Sequence, residues 1–232
     1  MLAPEKLKEI KAIRVRRCFI DTTAQLIQDV GIEGLSIRKI SKIVGYNSAT
    51  TYNYFENFEH LVTFASLRYL DAYTAELSKL MLDDINALER YIRVFTCFAR
   101  YSFSSPAIYA SLFYGNYGSR LSEIIREYYE MYPEELRVSH NDVRGMLYAG
   151  SIVEREKRIT LPICQEGFIT KEAQEYLVEI SISTHERLLR ELMQQNHNCS
   201  VEEQVRRYVN CICYLLRIMK LPGTPRVDSL GM

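Results

Sequence analysis

An all-α fold is predicted for this chain by three observations. Apolar residues recur at spacings of three and four along most of its 232 residues, period-two alternation is missing, and helix start and stop signals recur throughout. The expected order is a three-helix head with a helix-turn-helix over residues 1–57, a larger helical body over 58–221, and a flexible tail over 222–232. Nearly half of the residues are apolar, at 47%, so a chain of this length can bury a substantial core.

Ile13, Ile20, Ala24, Ile27 and Val30 form one face of a first helix, which Gly31-Ile-Glu-Gly34 breaks. Ser36 is a suitable N-cap for a second helix, whose inward stripe is Ile37, Ile40, Ser41 and Val44. Gly45 ends it, because glycine adopts a left-handed conformation that side chains resist. Tyr46 is expected to pack back into this turn, and Asn47 or Ser48 to cap a third helix. Thr51 and Phe55, four apart, form its buried face. Its other face displays Ser48, Thr50, Tyr52, Asn53 and Tyr54, all of which can hydrogen-bond and none of which is acidic. A short polar helix held by a small apolar helix pair is what the DNA major groove accepts.

Beyond Glu56-Asn57 the periodicity predicts helices at about 58–81, 84–103, 106–114, 119–131, 141–157, 171–196 and 200–220. Asp83 or Asp84 can cap the second of these. Ser105-Pro106 places proline at a first helical position, and Ser200-Val-Glu-Glu203 has the capping-box pattern. Pro133 and the stretch 160–167 are read as interruptions, and Glu154-Arg-Glu-Lys-Arg158 as a solvated helix face.

Formal net charge is zero, which argues against a protein that simply coats nucleic acid. Its distribution is uneven. Residues 1–55 hold nine Lys and Arg against five acids, so a head of +4 precedes a remainder of −4. A basic end on an acidic body suits DNA binding by one end.

Residues 12–62 resemble the N-terminal domain of the TetR family of bacterial transcriptional regulators. Members of that family read Thr-x-x-x-Ile-Ala, then Gly-Val-Ser, then Thr-Leu-Tyr-x-Tyr-Phe-x-x-Lys-Glu-x-Leu. This chain has Ser36, Ile40-Ser41, Gly45-Tyr46-Asn47, Thr50-Thr51-Tyr52-Asn53-Tyr54-Phe55, Glu59 and Leu61 in the same spacing. It departs at Phe58, where the family has a phosphate-touching lysine, at Thr51, usually aliphatic, and at Tyr46, usually small and aliphatic. The resemblance implies a repressor that reads a palindromic operator as a homodimer and is released by a small molecule. Arg38, Thr50, Asn53 and Tyr54 are the expected base readers, arginine being able to grip guanine bidentately. Ser36, Lys39, Ser48 and Tyr52 are the expected phosphate contacts. The loss of the lysine at position 58 keeps a second reading open, a helical dimeric protein-interaction module with a degenerate head.

Aromatic residues crowd the span from Tyr91 to Tyr132. Core packing accounts for some, but tyrosine hydroxyls need partners when buried, and rings with a few hydroxyls make a small-molecule pocket. Phe98, Tyr101, Phe113, Tyr117 and Tyr128 are the expected lining for an apolar or aromatic ligand. Val201, Val205, Tyr208, Ile212, Leu215 and Met219 make a stripe, as do Leu177, Ile180, Thr184, Leu188 and Leu192. Two such helices from each of two subunits would build a four-helix dimer core.

Other classes find little support. There is no Gly-rich phosphate loop, no Gly-x-Ser-x-Gly elbow and no His-Glu-x-x-His, so no enzyme is expected. Six cysteines are scattered, and His197-x-Cys199 with Cys211-x-Cys213 lacks a standard ligand spacing, so neither metal nor cofactor is expected. No apolar run reaches bilayer length and no signal-peptide core opens the chain, which points to the cytoplasm and to no membrane partner.

Overall fold

In the computed structural model, residues 3–136, 141–194 and 200–223 are described, and among them there are helices and turns but no strand. The tail beyond 223, and with it His140, His197 and Cys199, lies outside the described residues. The chain clusters into two units, residues 1–70 with 124–136, and residues 71–123 with 137–232.

The first unit holds α1 (Pro4–Val30), α2 (Ile37–Val44), α3 (Ser48–Thr51) and α4 (Phe58–Ser66), then a 3-10 turn at Leu67–Tyr69. α1 starts on Pro4 and ends at Gly31, whose φ of 71° lets its N–H return to the Ile27 carbonyl. Ile20, Ala24 and Ile27 are buried as their stripe predicts, whereas Val30 is exposed. The core is aromatic: Phe55 packs edge-on against Phe19, at 6.2 Å, and against Phe64, at 5.9 Å. The Arg16 guanidinium lies over both Phe55 and Phe64. The expected boundary at 57/58 differs from the observed grouping, because α4 packs on α1 and residues 124–136 return to this unit.

An ionic and aromatic cluster holds that returning segment. Arg68 reaches Asp21 at 2.5 Å, Glu135 at 3.3 Å and the Tyr128 hydroxyl at 3.4 Å. The Tyr132 hydroxyl donates to Asp21, and Arg17 sits 4.3 Å above the Tyr132 ring. Arg16 pairs with Glu127 and Arg17 with Glu134.

The second unit contains α5 (Leu70–Leu80, from its second residue), α6 (Ala87–Ser104), α7 (Pro106–Tyr114), the first residues of α8 (Leu121–Met131), α9 (Asn141–Leu147), α10 (Ile152–Gln165), α11 (Lys171–Met193) and α12 (Val201–Met219). Four of its helix starts are capped by side chains: Asn86, Ser151, Thr170 and Ser200 each accept from the backbone N–H three residues on.

Several expected boundaries shift for visible reasons. α6 starts after Asn86 rather than after Asp83 or Asp84, and the Asp83 carboxylate instead pairs with Arg93. The helix expected over 141–157 breaks after Leu147, because Ser151 caps a new start. The stretch 160–167 does not interrupt α10, which runs through Pro162 to Gln165. Pro162 forgoes one backbone bond near the helix end, while buried Thr160 and Ile163 on either side keep that turn packed. Gly167, with φ 76°, then closes the helix as the Phe168 N–H reaches the Ile163 carbonyl.

In the head, the departure at Thr51 has a partner. Its hydroxyl lies 3.0 Å from that of Ser41, and both residues are fully buried. Thr51→Val should strand the Ser41 hydroxyl and cost about 1–3 kcal/mol, whereas the double variant Ser41→Ala/Thr51→Val should regain most of that loss. Denaturant unfolding of the two single and the double variants measures the coupling, and additive losses would show that the pair contributes nothing jointly.

Candidate functional site

The recognition surface of the head is built by three consecutive caps. The Ser36 hydroxyl accepts from the Lys39 N–H at 3.2 Å and fixes the start of α2. Gly45, with φ 83°, lets the Tyr46 N–H return to the Ser41 carbonyl and turns the chain. Asn47 accepts from both the backbone and the hydroxyl of Thr50, at 2.8 and 2.9 Å, and starts α3. α3 spans only Ser48–Thr51, shorter than its sequence pattern suggests. The coil continues as tighter i→i−3 bonds from Asn53 to Thr50 and from Tyr54 to Thr51, and Phe55 then plunges into the core. Tyr46 packs 5.8 Å from Phe19 but remains substantially exposed.

Ser36, Arg38, Lys39, Tyr52 and Asn53 are exposed, and Ser48, Thr50 and Tyr54 are half-buried, so all eight expected DNA-contact residues reach the surface. Thr50 spends its hydroxyl hydrogen on Asn47, which leaves its oxygen as an acceptor. Arg38, Lys39 and Lys42 make no ion pair among the described residues, in contrast to Arg16 and Arg17. The basic charge on α2 is therefore uncompensated. Phe58, at the first position of α4, is half-buried.

A cavity of about 40 Å³ lies within the second unit. Its apolar wall includes Phe95, Phe98, Phe113, Met146 and Ile182, and its polar groups are Tyr73, Tyr114, Arg155, Glu156, His185 and Tyr208. That volume accommodates roughly three water molecules. Of the five expected lining residues, Phe98 and Phe113 are on this wall. Tyr101 instead donates to Glu76 at 2.9 Å, and Tyr117 is buried away from the cavity. Tyr128 belongs to the first unit, where its hydroxyl meets Glu135 and Arg68.

The reading of 154–158 as a solvated face is corrected by burial: Arg155 is 6% exposed and Glu156 4%. Ile152, Glu156, Ile159 and Ile163 step by four, three and four, so Glu156 occupies a core position of the helix and Arg155 its flank. That stripe was available in the sequence, hidden by the surrounding charges. The Arg155 Nη2 donates to the carbonyls of Leu147, at 2.8 Å, and Ala149, at 3.4 Å, just past the end of α9. Its guanidinium lies 5.3 Å from the Phe113 ring, and its buried Nε–H has no acceptor. Glu156 accepts from the Tyr91 hydroxyl at 3.3 Å. Ser181 meets the Tyr208 hydroxyl at 2.8 Å.

His185 is stacked between Phe98 and Phe103. Its Nε2 is 2.7 Å from the Ser102 hydroxyl and its Nδ1 is 2.7 Å from the Tyr114 hydroxyl. One arrangement satisfies every group: Tyr114 donates to Nδ1, Nε2–H donates to Ser102, and Ser102 donates to the Ala99 carbonyl. Burial pulls the imidazole down to about 3, so the ring is neutral. Burial pushes the Glu156 carboxyl up to about 8 and the Arg155 guanidinium down to about 10. At neutral pH the cavity wall thus carries a protonated Glu156 and a charged Arg155.

A helix-turn-helix with an acid-free polar face and unpaired cations defines a DNA-binding module. Residues 19–63 match the sequence profile of the bacterial regulatory proteins, tetR family. That stretch is therefore a DNA-binding domain of the type found in these transcriptional regulators. No curated protein matches the sequence. Among solved structures, RolR in complex with resorcinol aligns at TM-score 0.59 and 14% identity, covering 96% of this chain and 94% of RolR. A protein of Syntrophomonas wolfei assigned to the TetR-family regulators aligns at TM-score 0.57 and 13% identity, covering 91% and 98%. Thermus thermophilus FadR, a TetR-family repressor in complex with lauroyl-CoA, aligns at 0.56 and 12%, covering 90% and 99%. At these identities the likeness establishes the fold. Among the described residues no helix is long and apolar enough to cross a membrane.

The buried acid has a pH signature. Unfolded, Glu156 ionises near 4.5; folded, it keeps its proton to about 8. The folded state therefore binds the extra proton between those values, and stability falls as pH rises across them. Glu156→Gln removes this liability. The variant should gain on the parent progressively from pH 5 to 8, by on the order of a few kcal/mol, with a constant gap above. Melting curves across that range measure it, and a gap that does not vary with pH would mean that Glu156 is ionised in the fold.

Proposed function

We propose that this protein is a homodimeric transcriptional repressor that reads a palindromic operator and is released from it by a small molecule bound in the body. The observation that carries the DNA reading is the α2–α3 surface, on which Arg38, Lys39, Tyr52 and Asn53 stand exposed with no acidic residue among them. Arg38 reads a base, assisted by Thr50, Asn53 and Tyr54; Ser36, Lys39, Ser48 and Tyr52 position the phosphate backbone. Arg38→Ala should weaken operator binding roughly 10- to 100-fold and relax preference at one base pair. Titration of labelled DNA flanking its own gene, at fixed salt, measures both effects. Absence of any sequence-selective binding by the parent would favour the protein-interaction reading of the head instead.

The body cavity suits an effector, in keeping with the resorcinol and lauroyl-CoA bound by RolR and by T. thermophilus FadR. Its small volume bears on mechanism. A ligand with an apolar or aromatic body must push the wall outward, so it binds an enlarged conformation better than the closed one. That differential affinity is what a release mechanism requires, since a ligand indifferent to conformation shifts nothing.

Dimerisation through the last helix pair needs a revised face. Ile212 and Leu215 are buried within the chain, and Val205 is half-buried. Tyr176 and Ile180 on α11, and Tyr214 and Ile218 on α12, are exposed apolar residues, as is Met193 at the end of α11. Each pair is four apart, one helical turn, and α11 packs on α12. Ile218→Glu combined with Ile180→Glu should convert a sedimenting dimer to monomer with helicity retained. A dimer that survives both changes would place the interface elsewhere.

A further inference from the structure

Arg155 is an oddity in a fold of this size. A guanidinium has five N–H donors, and two carbonyls at the end of α9 engage only Nη2. Among the described residues its buried Nε–H has no acceptor, and no carboxylate stands within ion-pairing distance of Arg155. An arginine needed only to close α9 could sit at the surface. This one is 6% exposed and forms part of the cavity wall. A buried charge without a counter-ion is unfavourable, so its persistence asks for a partner that arrives from outside.

Taking the body cavity as the effector site proposed above, we infer that the effector is a small organic monocarboxylate whose anionic group is received by Arg155 and whose apolar part rests against Phe98, Phe113 and Ile182. The other polar groups on the wall argue for an anion rather than a cation. Glu156 already accepts from Tyr91, and burial pushes its carboxyl up to about 8, against ionisation. Both nitrogens of His185 are occupied by Ser102 and Tyr114. The one uncompensated charge on the wall is therefore positive. One guanidinium matches one carboxylate, and a second negative charge would go unpaired among rings, which selects monoanions over phosphate esters or dicarboxylates.

The test compares matched pairs at constant ionic strength: sodium propanoate against propanamide, and sodium benzoate against benzamide, with melting temperature and then affinity for the parent protein. A carboxylate should bind roughly tenfold or more tightly than its amide. Arg155→Met should abolish that preference and Arg155→Lys should keep part of it. Should Arg155→Met fail to fold, the pairs on the parent and on Arg155→Lys decide alone. Amides that bind as well as carboxylates, or a preference that survives Arg155→Met, would overturn the inference and leave the cavity a neutral-ligand site. Failure of all four compounds to stabilise the parent would overturn it as well. DNA titration in the presence of the bound carboxylate separates the two claims: unchanged operator affinity would remove the regulatory role of the cavity while Arg155 kept its anion.

Discussion

The body of this protein is organised around two ionisable groups buried side by side on α10. Arg155 ties its helix to the carbonyls that end α9, and Glu156 ties it to Tyr91 on α6. Ser181 on α11 in turn meets Tyr208 on α12. Three helices therefore take their positions from neighbouring residues on α10 in a place where apolar packing alone would have been simpler. Polar groups buried in this way are directional: they fix which helix turn faces which, where hydrophobic contacts tolerate sliding. Their desolvation is unfavourable, and the surrounding rings offset it by excluding water from bonds that are then stronger.

The head follows a different logic. Its core is a set of rings, Phe19, Phe55 and Phe64, and its polar groups are spent on caps that set the turn geometry. The two arrangements suit two tasks. A reading surface must be the same each time it meets DNA, so its backbone is fixed by short-range bonds from Ser36 and Asn47 that do not depend on distant packing. On the function proposed above, the cavity needs a second conformation within reach, which outward movement of its ring-lined wall would supply.

Much of the head was legible in the sequence because its signals are local. Ser36, Gly45 and Asn47 act within three or four residues of themselves, and each appears where its chemistry requires. The pairing of Thr51 with Ser41 was not legible, since it joins positions ten apart across a turn. In the body, the charged run at 154–158 concealed two core residues, because charge outweighs periodicity when the segment is read residue by residue. The stripe through Ile152, Ile159 and Ile163 places Glu156 inside once the helix is drawn. Phe98 and Phe113 were recoverable as cavity residues, since their rings lie on adjacent helices and pack at 5.5 Å. Tyr128 was not, because its fate depends on a chain reversal that returns residues 124–136 to the first unit, and nothing local to Tyr128 announces it.

The protonation states bear on how the cavity could switch. Burial pushes the Glu156 carboxyl up to about 8 while it accepts from the Tyr91 hydroxyl, so Arg155 is the charged neighbour of a carboxyl that resists ionisation. An anion at Arg155 would enter next to an uncharged acid and would raise the penalty for ionising it further, which keeps the network in its neutral form. A cation would do the opposite and favour the ionised carboxylate. On the function proposed above, the buried acid would therefore favour an anionic ligand over a cationic one without touching it.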